Sequence, residues 1–142
     1  MYSGINFFSE NCSFRLKEKK MITAWLTKII QKSSNKTGNI TYIFCDDAYL
    51  ADLNQKYLNH KTLTDIITFD YVEGNMINGD IFISIERVQE NAIKYKTPFK
   101  NELLRVICHG VLHLMGFADK NNSEKLVMRA KEQECLNLFF KK

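Results

Sequence analysis

The stretch Asp65-Ile66-Ile67-Thr68-Phe69-Asp70-Tyr71, followed after the polar Glu73-Gly74-Asn75 by Gly79-Asp80-Ile81-Phe82-Ile83-Ser84, decides the fold class. β-Branched and aromatic residues flank a turn-forming segment, which predicts two strands joined by a hairpin-like connection. Towards the N-terminus, Asn39 to Cys45 has the same strand character, and Ile5 to Phe8 forms a further short strand. Between them, Lys17 to Lys32 sets Ile22, Trp25, Leu26, Ile29 and Ile30 at helical spacing with lysines interspersed, an amphipathic helix. Asp46 or Asp47 offers an N-cap for a helix carrying Leu50, Leu53 and Tyr57. Towards the C-terminus, Ser84 caps a helix through about Tyr95, Thr97-Pro98 breaks it, and an apolar-periodic helix runs from about Phe99 to Met115. Gly116 stops that helix. After the polar Asp119 to Ser123, a last helix carries Met128, Cys135, Leu138 and Phe139 on one stripe and leaves Lys141-Lys142 as a basic tail. The expected class is α+β with about four strands, in one domain over residues 1–142.

Composition supports a folded chain: 142 residues with 45% hydrophobic and 25% charged residues match ordinary globular proteins and exclude wholesale disorder. No apolar run approaches the ~18 residues of a membrane span. Cys12, Cys45, Cys108 and Cys135 are widely spaced, without a C-x-x-C pair or a secretory leader, and are expected to be reduced thiols in a cytoplasmic protein. The formal charge of +4 favours contact with a polyanion. Lys17, Lys19, Lys20, Lys28, Lys32 and Lys36 are nonetheless read as the solvated face of the first helix rather than as a binding surface.

The chemistry concentrates in Cys108-His109-Gly110-Val111-Leu112-His113-Leu114-Met115-Gly116-Phe117-Ala118-Asp119. Two of the three histidines stand four residues apart, so a helix sets both imidazoles on one face. At ~100° per residue, Leu104, Ile107, Val111, Leu114 and Met115 form one apolar stripe, and His109 and His113 project from roughly the opposite side. Glycine at 116 lets the chain turn back and bring Asp119 to the same ion. Two imidazoles and a carboxylate leave a fourth tetrahedral position open, the donor set of a catalytic zinc rather than a structural one. The plain alternative, two helix histidines and a surface aspartate, leaves the ordered set unexplained. Cys108 is read as packing, and Glu102, two turns before His109, as a solvated glutamate or a hydrogen-bond partner behind the site. Where helical H-E-x-x-H metalloproteases carry their general base this chain has Gly110, which argues against a peptidase.

His109-Gly110-Val111-Leu112-His113-Leu114-Met115-Gly116 resembles the H-G-x-L-H-L-x-G signature of the YbeY family, bacterial zinc-dependent endoribonucleases and ribosomal RNA maturation factors. Leu53-Asn54-Gln55-Lys56-Tyr57, Thr64-Asp65-Ile66-Ile67-Thr68-Phe69 and Gly79-Asp80-Ile81 agree in order and spacing, so the resemblance covers about residues 40 to 137. It implies a small mixed four-stranded sheet packed with about five helices, and a metal cleft formed by a C-terminal helix and the following loop. It further implies one Zn²⁺ per chain, single-stranded RNA as substrate, and a role in maturing the 3′ end of small-subunit (16S) ribosomal RNA and in ribosome quality control. The implied partners are ribosomal RNA, the small ribosomal subunit and its associated proteins. Two positions depart from the pattern. The third ligand, commonly a histidine, is here Asp119, and carboxylate oxygen serves zinc as well. An arginine that many members carry after the aromatic matching Tyr57 is here Leu58. His60 and Asp65 are the candidate substrate contacts. The alternative to an endoribonuclease is a ribosome-assembly or RNA-binding factor with a mainly structural zinc and slight nuclease activity.

Overall fold

A computed structural model describes residues 4–58 and 64–141. In chain order the elements are β1 (Ile5–Ser9), α1 (Lys19–Lys32), β2 (Lys36–Cys45), α2 (Asp47–Leu58), β3 (Ile66–Asp70), β4 (Met76–Ser84), α3 (Ile85–Lys94), α4 (Phe99–Leu114) and α5 (Asn122–Phe140). The strands form one sheet in the order β1-β2-β4-β3. β1 and β4 each run parallel to β2, and β3 closes the sheet antiparallel to β4, so the sheet is mixed. The expected hairpin is β3 with β4, closed at its turn by the Glu73–Met76 bridge.

Local chemistry explains the helix starts. The Asp46 carboxylate accepts the Tyr49 backbone N–H at 2.8 Å and opens α2, and Ser84 accepts the Arg87 N–H and opens α3. Asn121 and Glu124 form a reciprocal capping box at the start of α5. β2 and β4 begin earlier than side-chain alternation predicts, at Lys36 and Met76, because the two strands pair there through backbone with an irregular register between Thr37 and Ile40.

The central helix is α4, and it differs from expectation. Periodicity predicts a single apolar stripe, yet Leu103, Leu104, Val106, Ile107, Cys108, Val111, Leu112 and Leu114 are all buried and Met115 is only partly so. The cause is position: α4 packs on β3 and β4 and is also covered by α1, α3 and α5. Gly110 permits the close approach, since a Cβ there would lie 2.9 Å from Ile81 Cγ2 on β4. The residue that would be a protease base thus faces the sheet, and no glutamate fits there. Two hydrogen bonds tie the layers: Tyr42 Oη–H donates to the Ile107 carbonyl at 2.6 Å, and Trp25 Nε1–H donates to the Cys135 carbonyl at 2.7 Å. All four cysteines are free, with Cys108 in the core. Among the described residues no helix is long and apolar enough to cross a membrane.

Candidate metal centre

His109 and His113 lie in the last turns of α4, one turn apart, with ring centroids 5.0 Å from each other. The helix then ends as a Schellman motif. Phe117 N–H donates to the Leu112 carbonyl at 3.0 Å and Gly116 N–H to the His113 carbonyl at 3.0 Å, with Gly116 at φ 103°. That left-handed residue reverses the chain and returns Asp119 to the histidines. Asp119 Oδ2 stands 3.3 Å from His109 Nε2, and Oδ1 stands 3.3 Å from His113 Nε2. One donor atom from each of the three residues lies within 4.8 Å of the other two.

A second carboxylate fixes the tautomer. Glu132 on α5, 3% exposed, accepts from His109 Nδ1 at 2.6 Å. With its proton on Nδ1, a neutral His109 turns a bare Nε2 lone pair towards Asp119. Lone pairs of imidazole and carboxylate facing one another repel unless a cation lies among them, so this donor set fits a metal ion. Burial, and then the neighbouring His109, lower the pKa of His113, which disfavours a proton as that cation.

Glu132 is itself anchored. Its Oε1 accepts Arg105 Nη1 at 3.0 Å, and Arg105 makes a two-pronged contact with Glu102 through Nε at 3.0 Å and Nη2 at 2.6 Å. Burial by itself would raise the Glu132 carboxyl, but the His109 hydrogen bond and the Arg105 charge overcome it and hold the pKa below the ordinary value. Glu102 is therefore not solvated: it is buried and reaches His109 only through Arg105 and Glu132. Sequence reading missed Glu132 and Arg105. The available signal was an acid at Glu132 on the buried stripe of Met128 and Cys135.

Asp65 lines a cleft of about 280 Å³ together with Thr64, Thr68, Arg105, His109, His113 and Asp119, so it lies beside the candidate ligands. Its carboxyl pKa is raised by burial, opposed in part by Arg105 and His109. The Asp65 carbonyl also accepts the Ser84 N–H at 3.0 Å, which fixes the start of β3 against the end of β4. His60 lies outside the described residues, and Leu58 is the last residue of α2.

Comparison with known proteins extends these observations. Residues 5–139 match the family model described as Endoribonuclease YbeY. The chain is 51% identical over 132 residues to Endoribonuclease YbeY of Flavobacterium psychrophilum, covering 93% of this chain and 94% of that one. To the protein of the same name from Flavobacterium johnsoniae it is 48% identical over 135 residues, covering 95% and 96%. The solution structure of TM1509 from Thermotoga maritima superposes with a TM-score of 0.67 at 28% identity, over 96% of this chain and 89% of that one. A match that runs from the first strand into the last helix, and spans nearly all of its relatives in return, has one meaning: the chain belongs to the endoribonuclease YbeY family.

Proposed function

We propose that this chain is a single-domain, zinc-dependent endoribonuclease that cuts single-stranded RNA, acting in the cytoplasm on the 3′ end of 16S ribosomal RNA and in quality control of the small ribosomal subunit. The observation that carries the reading is the convergence of His109 Nε2, His113 Nε2 and the Asp119 carboxylate, with His109 held from behind by Glu132. Those three residues would hold one Zn²⁺, which supplies a Lewis acid for the phosphoryl oxygens and activates water. The remaining roles belong to the protein. Glu132 and Arg105 keep the His109 ring fixed, and the Asp65 cleft offers Thr64 and Thr68 for polar contacts with a strand. Unstacked RNA suits an open cleft, where an A-form duplex would present only its outer shape. Gly110 facing the sheet leaves α4 without the glutamate a peptidase would need.

The test is metal content by mass spectrometry on protein purified without added metal, paired with cleavage of a single-stranded RNA carrying the small-subunit 3′ end. About one zinc per chain is expected from three protein donors and an open position. His113→Ala should lose both metal and cleavage. A metal-loaded chain that leaves the RNA intact while binding it would put the assembly-factor reading in its place.

A further inference from the structure

Arg105, His109 and Asp119 border two clefts, of which the Asp65 cleft is one. The other, of about 230 Å³, opens on the α5 side of Asp119 and is also lined by Lys125, Met128, Arg129 and Glu132. One of its three cations is committed, because Arg105 is clasped between Glu102 and Glu132 and its side chain is 17% exposed. The other two are not. Lys125 and Arg129 stand one turn apart on α5, both exposed. Arg129 reaches Glu132 Oε1 only at 3.7 Å, an oxygen that Arg105 Nη1 already holds at 3.0 Å. Lys125 makes no ion pair among the described residues. The adjacent acid is turned away: Glu124 Oε1 accepts the backbone N–H groups of Lys120 and Asn121. Both clefts carry two carboxylates, Asp119 with Asp65 in one and Asp119 with Glu132 in the other, but the Asp65 cleft has no lysine or arginine beyond the clasped Arg105. Beyond the phosphoryl group that the metal would hold, a neighbouring phosphate therefore finds its free cations on the α5 side.

We propose that Lys125 and Arg129 form a phosphate subsite, gripping the RNA backbone on the α5 side of the bond to be cut while the sugar and base beyond that bond lie in the Asp65 cleft. The subsite rests on the endoribonuclease reading and adds a direction to it: the strand crosses Asp119 with its backbone leaning on α5. Because such contacts recognise phosphate and not base, they set position and carry no sequence preference.

The experiment compares the metal-loaded chain with Lys125→Gln/Arg129→Gln and with Lys28→Gln/Lys32→Gln. The second pair removes the same charge from exposed positions on α1, where Lys32 lines a separate cavity with Ile29 and Leu138. Binding of a short labelled single-stranded oligoribonucleotide is followed against salt, together with cleavage kinetics and thermal melting. For the α5 pair, Kd and KM should rise about tenfold, and the salt slope should fall by about 0.7 for each phosphate that is no longer neutralised. Its kcat should stay within about twofold, as expected when ground state and transition state lose the same binding, and its melting should not move. The α1 pair should change none of these. An α5 pair that behaves like the unmodified chain, or an α1 pair that weakens binding equally, overturns the subsite and leaves the nuclease reading standing. An unmodified chain that neither binds nor cuts RNA overturns both.

Discussion

Two regions grip His109 from opposite ends of its ring, and they hold their carboxylates in opposite ways. The turn after α4 presents Asp119, whose side chain is 36% exposed and faces Nε2 of both histidines. The buried stripe of α5 presents Glu132, 3% exposed, hydrogen-bonded to Nδ1 and pinned by Arg105. A half-buried carboxylate on a turn can exchange partners at little cost to the fold. A buried one with two partners cannot, because removing it strands His109 Nδ1 and takes from Arg105 one of its two carboxylates. The difference separates a candidate ligand from a residue that orients one.

The largest effect should come from the buried side. Glu132→Ala leaves His109 Nδ1 without its acceptor and Arg105 with Glu102 alone, and urea unfolding should show a loss of about 3–5 kcal/mol, the usual result of breaking a buried pair. The comparison breaks if this variant is no less stable than Asp119→Ala. Asp119→Ala should do the reverse: with metal removed by a chelator its stability should stay within about 0.5 kcal/mol of the unmodified chain, as for ordinary surface changes. Its metal affinity, read by competition with a chromogenic chelator, should fall by more than about 100-fold, beyond the range expected for residues behind a ligand. Glu132→Gln falls between the two. The side chain keeps its volume and can still accept from Nδ1, but loses its charge, so metal affinity should drop about 10- to 100-fold. If Glu132→Gln and Asp119→Ala weaken metal equally, the division between ligand and orienting residue does not hold.

These two regions also differ in how plainly the sequence announces them. His109, His113, Gly116 and Asp119 are joined by one helical turn and one helix exit, both governed by local rules, so the constellation is readable without tertiary structure. Glu132 reaches His109 from 23 residues away, and only the packing of α5 on α4 brings it there. Its trace was an acid on a stripe that otherwise reads as apolar, a pattern that becomes informative once a buried cation is known to face it. The burial of α4 on most sides was hidden for a related reason. Periodicity reports a helix with one dry face, and says nothing of the additional layer that α1, α3 and α5 build over it. The backbone pairing that lengthens β2 and β4 likewise has no side-chain signature.

Asp65 supplies the smallest effect and the sharpest control on the comparison. Like Glu132 it is drawn out of water, but the charges of Arg105 and His109 and a hydrogen bond from its own backbone offset burial only in part: its pKa is raised where that of Glu132 is lowered. The sign follows. A carboxyl whose folded pKa exceeds its unfolded value of about 3.9 costs stability when ionised, so the penalty is fully present above the folded pKa. It is lost as pH falls through that value, and is gone below the unfolded one. Asp65→Asn should therefore raise the thermal midpoint of the metal-stripped protein at pH 7, and the gain should vanish as pH approaches about 3.9. A variant less stable than the parent at pH 7 would mean that Asp65 is satisfied as Glu132 is. A gain paired with weaker RNA cleavage would mark it as a residue kept for the cleft at the expense of the fold.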